Sequence, residues 1–161
     1  MGINVQSLKS LLHENRYKPI SGRVLRIGKS TVNVSWPKLQ EVLIPFGLSV
    51  SGSDLVARDV VTKRSSHTYW VDDVELFRVL FPGVESVDVL DMSPYEGANV
   101  IADMNIPIPV ELQRKYDFIY DSSVLDNVFN PAQMIQNVSA MLRGGASMPT
   151  QCLILFPRSA L

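Results

Sequence analysis

The chain has 161 residues, a formal charge of −1 and 46% hydrophobic against 19% charged residues. That length suits one domain of about 100–200 residues with a real apolar core, and the composition excludes disorder and a broadly basic nucleic-acid binder. One cysteine (Cys152) and two distant histidines (His13, His67) supply neither an internal disulfide nor a zinc ligand set.

At the N-terminus, "MGINVQSLKSLLHENRYK" lacks the apolar run and small-residue cleavage site of a secretory signal. No stretch approaches the ~20 apolar residues of a membrane span. The expectation is a cytoplasmic protein with no membrane partner and no metal.

In chain order, Val5, Leu8, Leu11 and Leu12 recur at helical spacing and predict an amphipathic helix over 4–15. "RVLRIG" reads as a strand ending at Gly28, and "TVNVSW" as a second short strand. Pro37 opens a helix over "KLQEVLIPFG", which Pro45 and Gly47 close. Residues 48–71 carry no clear period and read as an insertion. "DDVELFRVLF" is a helix, with Asp72 and Asp73 as cap candidates and Val74, Phe77 and Leu80 inward.

"SVDVLD", "VIAD" and "YDFIYD" then read as strands. "NPAQMIQNVSAMLRGG" is a helix with Asn130 as N-cap, Pro131 in the first turn, Ile135, Val138 and Leu142 on its inner face, and Gly144 as its stop. "QCLILF" is a last apolar strand. Near-continuous apolar strands alternating with helices predict an α/β fold, a doubly wound, mostly parallel, Rossmann-like sheet with helices on both faces.

Gly28-Lys29-Ser30 ends like a phosphate-gripping loop. That loop needs a glycine five residues before Gly28, where this chain has Arg23, and the intervening "RVLRI" is the strand itself. A glycine ending the first strand instead lets a ligand approach the backbone. In doubly wound sheets, ligands sit at the carboxyl ends of the strands, where the order reverses. Asp91, ending "VDVLD", is placed either to accept hydrogen bonds from a ribose in that crevice or to cap the turn "DMSPYEG".

"VLRIG", "VDVLDMSPYEGANVIADMN", "YDFIYDSSVLDNVFNP" and "MLRGG" together resemble class I S-adenosylmethionine-dependent methyltransferases, specifically a poorly characterised bacterial branch. The resemblance is densest over 86–145. It implies that Gly28 borders the methionine end of the cofactor, that Asp91 binds the ribose, that Met92 lies on the adenine and that Asp103 faces its amino group. It puts Asp121 and Ser122 near the methyl group, with Asp121 the candidate base, and Leu125, Asp126 and Asn127 on the side of an unidentified small-molecule acceptor. The plainer readings are core filling for Met92, a turn cap for Asp103, a strand start for Asp117, and a lead into the last helix for Asp126 and Asn127.

The chain departs from that pattern in three places. Ser30 stands where a second glycine is usual. From Lys29 to Glu85 there are 57 residues, more than one helix needs, which is why 48–71 reads as an insertion. The sequence also stops where the family's last two strands should follow, so an edge strand is expected to dimerise through 151–156, with a monomer in light scattering as the contrary result. Three functions compete: the methyltransferase, a degenerate relative serving as a binding or interaction module, and a nicotinamide oxidoreductase. The last wants G-x-G-x-x-G where the chain reads "GKSTVN".

Overall fold

A computed structural model describes residues 2–50, 73–121, 124–144 and 151–154. They divide into two compact units, one within Met1–Ile20 and Ser30–Pro82, the other within Ser21–Lys29 and Gly83–Leu161. Residues 51–71 of the 48–71 insertion lie outside the described residues, as do Asp72, Ser122 and residues 155 and 156 of the expected dimer strand.

In the first unit, β1 (Gly2–Ile3) pairs in parallel with β3 (Thr31–Val32). Helix α1 (Val5–Tyr17) starts where the Asn4 side chain accepts the Ser7 N–H at 2.9 Å, which satisfies one of the orphan donors of a helix start. Its Leu8, Leu11 and Leu12 are buried as the spacing predicts, each contributing about 1.5–3 kcal/mol. Helix α2 (Trp36–Leu43) runs into a 3-10 turn at Ile44–Phe46. Helix α3 (Asp73–Leu80) buries Leu76, Phe77 and Leu80, with Val74 only half-buried. Asp73, expected as a cap, is instead the first helical residue. It is fully buried, and its Oδ2 accepts the Ser30 N–H at 2.8 Å.

The second unit is built on a five-stranded, all-parallel sheet ordered β5-β4-β2-β6-β7, from β2 (Ser21–Ile27), β4 (Gly83–Asp91), β5 (Val100–Ile101), β6 (Phe118–Asp121) and β7 (Gln151–Ile154). The chain builds outward from β2 to β4 and β5, then crosses back to β6 and β7. The order therefore reverses between β2 and β6. β2 is central and buried from Val24 to Ile27, which explains its unbroken apolar reading except for Arg26. That arginine is fully buried and lies over the Tyr120 ring of the neighbouring strand, 4.9 Å from its centroid. A cation on an aromatic face recovers part of the cost of burial.

Helix α4 (Pro131–Met141) covers the opposite face of the sheet. Its N-cap is Asn130, as predicted, accepting the Gln133 N–H at 3.1 Å. The inner face differs from the expected one. Met134, Asn137, Val138 and Met141 are buried and Ile135 is 53% exposed, because Asn137 is wanted inside. Its side chain takes the Ile108 N–H and donates to the Met104 and Ile106 carbonyls. A buried amide with its hydrogen bonds made is stable where an unpaired one is not. The helix ends at Met141, short of Gly144. Leu25, Ile27, Leu90 and Ile119 meet Met134, Val138 and Met141 in one core cluster.

The protein is thus an α/β protein with a mostly parallel multi-strand sheet, compatible with a Rossmann-like fold. Among the described residues, no helix is long and apolar enough to cross a membrane.

Candidate functional site

The tips of β2 and β4 lie side by side. Ile27 is in register with Leu90, and the Gly28 N–H donates to the Leu90 carbonyl at 2.8 Å. Gly28 leaves the strand with φ of 73°, a left-handed conformation that costs an L-residue about 1–2 kcal/mol. A Cβ there would also stand 2.7 Å from Val124 Cγ2. Two independent reasons therefore require glycine. Gly28→Ala is expected to destabilise the protein by about 2 kcal/mol, measured as a urea midpoint. Adding Val124→Ala should recover the steric part and leave the backbone part. Full stability in the single variant would contradict this geometry.

One cleft of about 340 Å³ opens at these tips, within the usual size of a small-molecule site. Its floor is Ile27, Gly28 and Leu90. One side is Asp91 and Met92, the next is Ala102 to Asn105 beyond β5, and the far wall is Val124, Asn127, Val128 and Phe129. Every one of these residues belongs to the second unit. Among the described residues the lining is mainly apolar, its two charged groups are Asp91 and Asp103, and it includes no lysine or arginine.

Asp91 is half-buried. Its Oδ1 accepts the Met92 N–H at 2.6 Å and its backbone carbonyl accepts Ala102 N–H at 3.1 Å. Capping and ligand binding, posed as alternatives by the sequence, are compatible here: one carboxylate oxygen caps, and Oδ2 has no hydrogen-bond partner among the described residues. Met92 is 65% exposed on the rim, so core filling does not describe it. Asp103 makes the turn suspected of it, its Oδ1 accepting both the backbone and side-chain N–H of Asn105 at 2.9 and 2.8 Å. It also lines the cleft. Asn105 passes the tie onward by accepting the Asn130 N–H at 2.9 Å, which anchors this wall to the start of α4.

Asp121 sits differently. It is fully buried, with Oδ1 accepting the Val124 N–H at 2.8 Å and Oδ2 accepting the Leu125 N–H at 3.0 Å. Its carboxylate shapes the turn after β6 and does not line the cleft. Leu125 is core and Asp126 is exposed outside the cleft; of the three acceptor-side candidates only Asn127 lines it.

The sequence reading passed over Val124, Val128, Phe129, Asn105 and Ala102. Phe129, exposed at 99% beside the cleft, carries the one available signal: a large aromatic just before a helix cap, outside the helical period. Also unnoticed was the brace beneath the Asp91 rim. Asn99 donates to Asp88 Oδ1 at 2.7 Å and accepts the Val89 N–H at 2.7 Å, while the Tyr116 hydroxyl donates to Asp88 Oδ2 at 3.0 Å. Burial first, and then the Asp88 carboxylate, hold that phenol far above its ordinary range, so it stays a protonated donor. The brace returns the 92–99 loop to the end of β4.

The fold and site define a parallel α/β protein with a strand-tip cleft at the point where the sheet order reverses. Comparison with protein-family models, with curated proteins and with solved structures gives no significant match.

Proposed function

We propose that the chain binds S-adenosylmethionine in the strand-tip cleft and transfers its methyl group to a small-molecule acceptor. The observation that carries this reading is Gly28 and Asp91 on adjacent strand tips, opening on one cleft whose charged groups, among the described residues, are both carboxylates. The sheet order supports a Rossmann-like fold of the methyltransferase type, since crevices at such reversals bind nucleoside-bearing ligands.

The residues present suit this cofactor. Asp91 Oδ2 is available to accept the ribose hydroxyls. Met92 and Met104 offer apolar surface to the adenine, and Asp103 offers a carboxylate to its amino group. Among the described residues the cleft presents two carboxylates and no cation, which complements a sulfonium, whereas a triphosphate or pyrophosphate would meet like charge. The G-x-G-x-x-G of a nicotinamide site is missing, and after Gly28 the chain enters β3 before any helix begins, so no helix start follows to receive a pyrophosphate.

When bound, the cofactor supplies an already activated methyl group, leaving alignment as the protein's main task. Gly28 admits the ligand to the backbone, and Val124 and Phe129 present apolar surface on the far wall. Asp121 is committed to its turn, so we assign it no proton transfer. The reading accordingly favours an acceptor whose nucleophile needs no early deprotonation. The same commitment of Asp121 favours the second reading, a binding module on this fold that retains the ligand without catalysis.

A thermal-shift series with S-adenosylmethionine, S-adenosylhomocysteine and NAD separates these readings. A ligand at about 100 times its Kd stabilises by about 2.7 kcal/mol. A shift with the first two alone supports the cofactor assignment, and labelled methyl transfer into small-molecule pools then distinguishes enzyme from module. No shift with either sulfur compound would sink both.

A further inference from the structure

The first unit carries a second concave site, far from carboxylate-rich. Helices α1 and α2 and the 3-10 turn after α2 enclose a groove of about 310 Å³. Lys9, His13 and Arg16 line it from one stripe of α1, at the i, i+4 and i+7 spacing that stacks side chains on one face. Lys38 enters from α2, where Glu41 holds it at 2.6 Å. Among the described residues, three permanent cations thus share the groove with one carboxylate, which is paired with Lys38. The remaining wall is apolar: Phe46 packs its ring edge-on to His13, with centroids 5.0 Å apart.

Ordinary surface explanations cover part of this. Arg16 lies in the last turn of α1, where a cation complements the helix dipole. That does not explain Lys9 on the same stripe, which lies about two turns from the C-terminal end of α1, beyond the reach of the dipole's last-turn effect. Nor does it explain why Lys38 converges on them from another helix. Both helices are fixed by buried leucines, Leu8, Leu11 and Leu12 on α1 and Leu39 and Leu43 on α2, so the convergence is built into the packing.

We propose that this groove binds a phosphorylated small molecule, the phosphate held by Lys9, Arg16 and Lys38 and a planar or apolar body resting on His13 and Phe46. Guanidinium and ammonium groups are the natural partners of phosphate oxygens. The groove has the volume of a small-molecule site. A polyanion is disfavoured by the chain's net charge of −1, which supplies no wide basic field. The site belongs to the first unit alone and does not depend on the cofactor reading of the strand-tip cleft.

The test is calorimetric titration of the full chain with phenyl phosphate, with phenol and a short single-stranded oligonucleotide as comparison ligands. Saturable one-to-one binding of phenyl phosphate at a Kd of about 1 mM or tighter, with phenol at least about tenfold weaker, supports the site. The Lys9→Gln/Arg16→Gln double variant should weaken phenyl phosphate by about tenfold or more at an unchanged thermal midpoint, because both side chains are exposed. The proposal is overturned by the absence of saturation, by equal affinity for phenol, by an unaffected double variant, or by binding of the oligonucleotide alone.

Discussion

Asp91→Ala is expected to weaken S-adenosylhomocysteine binding by about two orders of magnitude while leaving the fold almost as stable as before. The lost contacts are hydrogen bonds from ribose hydroxyls to a carboxylate, each contributing about 1.5–3 kcal/mol, and a tenfold loss corresponds to about 1.4 kcal/mol. Among the described residues only one side-chain bond disappears, from the exposed Met92 N–H, so the thermal midpoint without ligand should barely move. Asp91→Asn keeps an acceptor and the capping bond but removes the charge, and should fall between the two. Calorimetry on all three proteins makes the comparison. An affinity unchanged in Asp91→Ala would remove this residue from the site.

Asp121→Ala should behave in the opposite way, with stability as the first casualty. The side chain is fully buried, and its two oxygens satisfy the N–H groups of Val124 and Leu125. Removing it strands two backbone donors, so about 3 kcal/mol of stability should be lost in urea unfolding. Ligand affinity should fall as well, because Val124 closes over Gly28 and begins the far wall of the cleft. A variant as stable as the parent, yet dead in methyl transfer, would restore Asp121 as a chemical group and refute its assignment to the turn.

The contrast between these two carboxylates marks the limit of what the sequence made legible. Both end an apolar strand, and their local patterns, "VDVLD" and "FIYD", are alike. What separates them is where the next backbone goes. After Asp91 a single N–H returns to one oxygen, whereas the N–H groups of Val124 and Leu125 engage both oxygens of Asp121. That depends on the turn geometry, to which apolar periodicity is blind.

Elsewhere the local code was readable. The Asn130-Pro131 helix start, the α1 leucines and the strand tip at Gly28 followed from capping chemistry and side-chain spacing. The inner face of α4 did not. Val138 belongs to both the expected and the observed face, and the choice between Ile135 and Met134 was settled by Asn137, whose buried amide holds the backbone of Met104, Ile106 and Ile108. Nothing in the local pattern marks Asn137 as inward-facing, because the partners that draw it in lie about 30 residues away in the chain. Phe129 and Val124 were missed for a related reason: they wall the cleft only because the β6 and β2 tips are neighbours.

A crystal structure of the protein with S-adenosylhomocysteine bears most directly on the nucleoside assignment. The ligand should occupy the cleft over Gly28, its ribose hydroxyls within about 3.2 Å of the Asp91 carboxylate and its adenine between Met92 and Asp103. Density for the ligand anywhere else, or a strand-tip cleft that remains empty at saturating ligand, would contradict it.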